Sequence, residues 1–224
     1  MRRGAVVRSE HLHRLTASGW DALMAHGVRT LVDLRNRAER ERNRQAPPDG
    51  LATVEVGLEE GLDQELAGWM SSGLMSTPLY YKPFLRRWPE RCASAVAAVA
   101  RAGPGGVLVH CGKGCDRTGL VTLLLLAICE VSPDDIADDY ELTVPRLQTH
   151  RAASLGAVDD MEPILAVLAR EGCRALRGAI LDLPAEVDVL ACLREGGLME
   201  SDVVAIRQRL LGPDCGEPQD LVTS

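Results

Sequence analysis

The stretch Gly106-Val107-Leu108-Val109-His110-Cys111-Gly112-Lys113-Gly114-Cys115-Asp116-Arg117-Thr118-Gly119 decides the reading of this 224-residue chain. Its first four residues form a short apolar run bounded by glycine, the pattern of a buried strand. The run Leu120-Val121-Thr122-Leu123-Leu124-Leu125-Leu126-Ala127-Ile128 that follows has the pattern of a buried helix. A strand feeding a glycine-rich loop that opens a helix is a geometry for holding phosphate. Loop amides turn inward on one anion, and the helix N-terminus adds unsatisfied donors and its positive dipole end. Cys111 at the base of the loop, where donors and dipole converge, predicts a thiolate nucleophile. Arg117 predicts a planar fork returning onto two phosphate oxygens. The alternative is a glycine-rich turn around a structural cysteine, which leaves the spacing of His110, Arg117 and Thr118 without a cause.

Composition narrows the class. The length suits one domain, or one domain with an elaboration, able to bury a substantial core. Aromatic residues are only 3% of the chain, so leucine, valine and alanine must build that core. A formal net charge of -7 argues against nucleic acid, or general attraction to anionic membrane, as the main business. Seven cysteines, an odd number without metal-finger spacing or a secretory leader, predict free thiols in a reducing cytoplasm. The apolar run after the loop is far shorter than the ~20 residues that cross a bilayer. The expectation is a soluble cytoplasmic protein with no stable membrane insertion and no nucleic-acid partner.

Around the central stretch the chain alternates strand and helix signals, predicting an α/β fold with a mostly parallel sheet flanked by helices. Ala5-Val6-Val7-Arg8 reads as an edge strand, Val28 to Leu34 as a second strand, and Thr53-Val54-Glu55-Val56 as a half-buried third. Thr16 or Ser18 caps a short helix that Gly27 stops. Arg35, just past the second strand, has two open readings: a residue beside the phosphate loop, or half of an ion pair such as one with Glu39. Residues 57–76 are acidic and glycine-punctuated, carrying Glu59, Glu60, Asp63 and Glu65. They read either as a lid bearing an acid or as a surface connection. Thr77-Pro78 opens an amphipathic helix carrying Phe84, Leu85, Trp88, Cys92, Val96 and Val99, with Pro89 positioned to kink or divide it. The division expected is one domain over residues 1–212, of which 145–212 form a helical elaboration, and a poorly ordered tail at 213–224.

Cys111, five residues, Arg117, then Thr118 and Gly119, with His110 in front, resembles the signature of the cysteine-dependent protein tyrosine phosphatase superfamily. Val7-Arg8-Ser9, Gly27-Val28-Arg29-Thr30-Leu31-Val32-Asp33-Leu34-Arg35 with Glu39, Pro78-Leu79-Tyr80-Tyr81 and Ala137-Asp138-Asp139-Tyr140 are similar to one bacterial branch. That branch includes secreted mycobacterial dual-purpose phosphatases and Listeria-type lipid phosphatases. The resemblance runs from about residue 5 to 150.

It implies Cys111 as nucleophile, Arg117 as phosphate clamp, Thr118 as the hydroxyl stabilising the leaving thiolate, and Asp116 as an acidic loop residue typical of the branch. Gly112, Lys113, Gly114, Cys115, Asp116 and Arg117 then line the phosphate. Family members commonly carry a basic residue directly before that aspartate, where this chain has Cys115; its loop lysine is Lys113, one of only two lysines, with Lys82. Phosphoryl transfer through a cysteinyl-phosphate follows, with no cofactor and no metal. The substrate is a phosphorylated protein or small phosphate ester, phosphotyrosine first, phosphoinositides or dual specificity as the alternative. Asp116 is the first candidate for general acid and Asp63 the second; His110 reads as hydrogen-bonded under the loop and orienting Cys111 rather than as an acid or base, or else as a buried, satisfied histidine.

Rival readings are a rhodanese-like sulfur transferase and a phosphate-binding module without turnover. The His-Cys start and Arg-Thr-Gly finish favour the phosphatase over the first, and the intact Cys111, Arg117 and Thr118 favour it over the second. Zinc on His110, Cys111 and Cys115 fails on spacing. Cys115 beside Cys111 also suggests a thiol that could trap an oxidised nucleophile as a disulfide.

Overall fold

A computed structural model of the chain describes residues 1–42, 46–61, 63–143, 162–173 and 175–212. Four strands, β1 (Val6–Ser9), β2 (Val28–Asp33), β3 (Ala52–Glu55) and β4 (Gly106–His110), form one sheet in the order β1-β4-β2-β3, every pairing parallel. The register aligns Ser9, His110, Asp33 and Glu55 across the carboxyl rim of the sheet. This rim is where ligands gather in open α/β sheets.

β4 lies inside the sheet and is buried at all five positions, as its unbroken apolar run requires when both faces are covered. Its side chains alternate. Val107 and Val109 join the larger core, with Val32 of β2, while Leu108 joins a smaller one with Leu12, Trp20, Val28 and Leu31 on the opposite face. Helix α1 (Ala17–Ala25), capped by the Thr16 hydroxyl accepting from the Gly19 amide at 3.2 Å, brings Trp20 to that smaller cluster. β3, expected half-buried, is exposed along its whole length because it is an edge strand; Val56, just beyond it, makes the packing contact. The charge run after β2 forms α2 (Arg37–Arg42), and α3 (Gln64–Ser71) falls within the acidic stretch after β3.

The amphipathic segment after Thr77 is divided. α4 (Tyr81–Arg87) and α5 (Pro89–Ala100) meet at Trp88, where Pro89 starts the second helix instead of continuing the first. The Thr77 hydroxyl donates back to the Leu74 carbonyl at 2.8 Å and caps neither. α6 (Asp116–Ile128) is buried from Thr118 to Leu125, so its apolar surface runs round its circumference. α7 (Pro133–Glu141) follows, and then α8 (Glu162–Arg170), α9 (Leu176–Glu186), α10 (Val189–Glu195) and α11 (Glu200–Leu211).

The last three helices support the sheet's helices from outside. α9 packs on α7, while α10 and α11 pack on α5 and α6; Ile180, Leu183, Leu193, Val203, Ile206 and Leu210 enter the main core. Residues 144–161, part of the expected elaboration, and the expected tail at 213–224 lie outside the described residues. Among the described residues, no helix is long and apolar enough to cross a membrane.

Six of the seven aromatic residues form one connected wall. Trp69 meets Trp88, Trp88 meets Phe84, Phe84 meets Tyr80, Tyr80 meets Tyr81 and Tyr81 meets Tyr140, with centroids 4.9–6.3 Å apart. Phe84, fully buried, lies in the middle of this wall. Phe84→Ala is therefore expected to destabilise the fold by about 3–5 kcal/mol, read as a lowered denaturant midpoint with an unchanged slope.

Candidate active site

The loop between β4 and α6 begins at the carboxyl rim and is shaped from both ends. The His11 amide, just past β1, donates to the Gly112 carbonyl at 3.1 Å. Gly114 has φ +71° and sits so close to β1 that a Cβ there would lie 2.5 Å from the Ser9 carbonyl oxygen. Only glycine satisfies both conditions. The Gly114 amide, turned inward by this conformation, donates to the Cys111 sulfur at 3.3 Å. Cys111 itself is buried at 2% exposure, at the floor of the loop.

Beneath the loop the aromatic wall supplies its support. The Tyr81 hydroxyl donates to the Asp116 carbonyl at 2.8 Å, and the Tyr140 hydroxyl lies 3.5 Å from the Cys115 sulfur. Gly119 makes room for both rings, since a Cβ there would meet the Tyr81 oxygen at 2.5 Å and Tyr140 at 2.9 Å. Burial pushes the Cys115 thiol up to about 12, with the neighbouring Asp116 adding to the shift. Cys115 is thus a protonated loop brace rather than a ready nucleophile.

His110 is buried under the loop, with Nδ1 3.4 Å from the Cys111 carbonyl oxygen and Nε2 3.8 Å from Asp33 Oδ2. Desolvation lowers its pKa, against the pull of Asp33, so the ring is held neutral. Thr118 is fully buried, and its hydroxyl has no hydrogen-bond partner among the described residues. Lys113 projects outward from the loop and is exposed; its charge reaches Asp116, whose own pKa burial raises.

Arg117 returns toward the loop, its Nη2 lying 3.5 Å from where a Cβ on Gly112 would stand. Glu39 of α2 grips its end, with Nη1 donating to Oε2 at 2.5 Å and Nη2 donating to Oε1 at 2.8 Å. Glu39 Oε2 also accepts the Asn36 amide at 3.0 Å, closing the first turn of α2. These donors hold the Glu39 carboxyl below its ordinary value despite partial burial. Of the two readings open for Arg35, the ion pair forms, but with Asp33 instead of Glu39: Glu39 takes Arg117, and Arg35 turns back on Asp33. Arg35 Nε and Nη2 donate to the two Asp33 oxygens at 2.9 and 2.7 Å, both side chains buried. The reason is reach: Asp33 already accepts the Arg35 amide at 3.0 Å, so the two-residue turn places its carboxylate beside the guanidinium.

Asp63 serves as the N-cap of α3, accepting the Leu66 amide at 2.9 Å, with its other oxygen 3.7 Å from Arg87. The acidic residue that reaches the loop is another one, Glu59, whose Oε2 lies 3.4 Å from Arg117 Nε with the side chain only 12% exposed. Burial raises its pKa to about 7; Arg117 opposes the rise, while Asp116 and Glu39 add to it. The available sequence signal was position: Glu59 follows Leu58 just beyond the carboxyl end of β3, the rim where the loop sits.

The assembly can therefore present an anion with inward amides, a buried sulfur and a guanidinium fork, next to carboxyl groups held toward protonation. Among the described residues no three His, Cys, Asp or Glu side chains form a group able to hold a metal ion. Comparison with known proteins gives the same direction. The chain is 31% identical over 150 residues to a tyrosine-protein phosphatase of Nostoc commune, covering 64% of this chain and 50% of that protein. It is 31% identical over 146 residues to a Cupriavidus necator protein named "Putative tyrosine-protein phosphatase", covering 62% and 53%. The matches thus span about half the length of these relatives. The profile of the tyrosine phosphatase family matches residues 1–212, and the chain belongs to that family.

Proposed function

We propose that this protein hydrolyses phosphate monoesters, phosphotyrosine in proteins first among them, through a covalent phosphate on Cys111. The observation that carries the reading is the inward Gly114 amide on the Cys111 sulfur at 3.3 Å, in a loop closed by Arg117. In the first step the Cys111 thiolate attacks phosphorus in line, the Sγ–P bond forms, and the bond to the leaving oxygen breaks. Charge moves onto the equatorial oxygens, where amides of the loop from Gly112 to Arg117 and the Arg117 fork receive it without reorganising. In the second step water attacks phosphorus and the thiolate departs. The Thr118 hydroxyl, buried and without a partner among the described residues, is available to donate to that sulfur. Lys113 adds positive charge at the rim of the loop. The phosphotyrosine assignment is supported by the family and by the names of the relatives.

The deciding experiment is hydrolysis of an aryl phosphate in the presence of a chelator. The parent is expected to turn over under these conditions, and Cys111→Ser to lose activity to background while keeping the parent's unfolding midpoint. Turnover by Cys111→Ser, or a parent that works only with added metal, contradicts the mechanism.

Glu39 positions Arg117, so Glu39→Gln should remove one charge-assisted interaction of about 1.5–3 kcal/mol, lowering kcat/KM roughly 10- to 100-fold. A depressed carboxylate contributes stability that is present above its ordinary pKa and lost as pH falls through the folded value. Glu39→Gln is therefore also expected to flatten the acid side of the thermal-midpoint curve, below about pH 4.5.

A further inference from the structure

We propose that Glu59 is the general acid of the reaction, giving its proton to the leaving oxygen as the P–O bond breaks. The inference rests on the phosphatase reading above and assigns one of its steps. It begins with the guanidinium of Arg117, which has a fixed fork of donors. Glu39 already occupies the Nη1 and Nη2 end, at 2.5 and 2.8 Å. A phosphoryl group held in bidentate fashion must use the remaining edge, which carries Nε, and that edge faces Glu59 Oε2 at 3.4 Å. A phosphate bound there puts its ester oxygen within reach of the Glu59 carboxyl.

The side chain is held for this task by its backbone. Leu58, fully buried, donates its amide to the Leu34 carbonyl at 3.4 Å, and the Glu60 amide closes a turn on the Gly57 carbonyl at 3.1 Å. The Glu60 carboxylate accepts the Arg37 amide at 2.7 Å, tying the turn to α2, which also carries Glu39.

The groups facing Glu59 set its proton occupancy. Arg117 and Asp116 reach it from α6, Glu39 from α2, and the buried hydroxyl of Tyr80 lies within its field. Their balance with burial leaves the carboxyl near half protonation at neutral pH. An arriving phosphate adds like charge and drives the proton on.

The other two carboxyls are engaged elsewhere. Asp116 is the residue whose backbone carbonyl takes the Tyr81 hydroxyl beneath the loop, with Lys113 and Arg117 acting on its carboxyl, and Asp63 caps α3. The step balances: Sγ–P forms, the P–O electron pair goes to the leaving oxygen, and that oxygen takes the Glu59 proton. The Glu59 carboxylate then takes a proton from the attacking water, which restores the acid as the Cys111 thiolate is released.

The test compares aryl phosphates whose leaving phenols differ in acidity, using the full chain. Dinitrophenyl phosphate needs no proton on departure, whereas phenyl phosphate does. Glu59→Gln is expected to reduce kcat/KM, which reports the first step alone, by about 100-fold or more on phenyl phosphate and far less on dinitrophenyl phosphate. It should also slow the shared hydrolysis step and so lower kcat on both, and remove the basic limb of the parent's kcat/KM profile near pH 7. Glu59→Asp should restore part of the loss. Equal losses in kcat/KM on both substrates overturn the assignment, as does a leaving-group dependence of kcat/KM that appears in Asp116→Asn and not in Glu59→Gln. The control separates the two levels: a parent inactive on dinitrophenyl phosphate defeats the phosphatase reading itself, while an active parent without the leaving-group effect defeats only the role of Glu59.

A second readout needs no turnover. A carboxyl raised on folding contributes stability that is full below its unfolded pKa and is lost as pH rises through about 7. Glu59→Gln should therefore gain in unfolding midpoint over the parent between pH 5 and pH 8. An equal offset at both pH values overturns the proposed protonated state.

Discussion

A guanidinium taken out of water must be paired, and Arg117 is the cation on which this site is built. Its side chain is only 12% exposed, and leaving such a charge unpartnered costs several kcal/mol. Two carboxyls answer it from different parts of the chain, Glu39 from α2 and Glu59 from the turn after β3. Both must stand at the carboxyl rim for the pair to form, so the register of β2 against β4 and of β3 against β2 is written into the same interaction. The pairing also orients the fork. With its end gripped by Glu39, the planar group is held in one orientation, and the edge carrying Nε faces Glu59.

The chain is sparing with aromatic residues and concentrates them under the loop. Tyr81 and Tyr140 spend their hydroxyls on the Asp116 carbonyl and the Cys115 thiol, and Gly119 supplies the space. From there the contacts run through Tyr80, Phe84 and Trp88 to Trp69. Loop amides that must aim at one point need a backbone that does not move, and large rigid rings behind it meet that need at low entropic cost. Gly114 fixes the other side against β1. The loop is thus pressed between an edge strand and an aromatic wall.

What the sequence disclosed and what it withheld divides along chain distance. The strand-loop-helix unit from Gly106 to Ile128 was legible because its signals are local: an apolar run, two glycines, and an apolar helix of uniform hydrophobicity. His110 under the loop followed from adjacency, and the division at Pro89 from proline's missing donor. Partner choice was not legible. Arg35 and Glu39 have suitable spacing for each other, yet Asp33 is nearer to Arg35 through a two-residue turn, and Glu39 is claimed by a residue 78 positions away. The same limit hid Glu59 among four acidic residues of one stretch. Asp63 looked equivalent in sequence, but the first turn of α3 needed a cap and took it.

The negative balance of the whole chain bears on how an anionic substrate is received. A protein of net charge -7 with only two lysines has little long-range attraction for a phosphate dianion. Around Arg117, ionised Glu39 already cancels the cation, and an ionised Glu59 would make the cluster negative. Burial resolves the conflict by keeping Glu59 and Asp116 toward their neutral forms, since two carboxylates in so small a volume cannot both shed their protons cheaply. The same desolvation that makes the site hospitable to an incoming dianion therefore stores a proton beside it. In the reaction proposed for this site, recognition and proton supply have one physical origin, and a change that opened this turn to water would weaken both together.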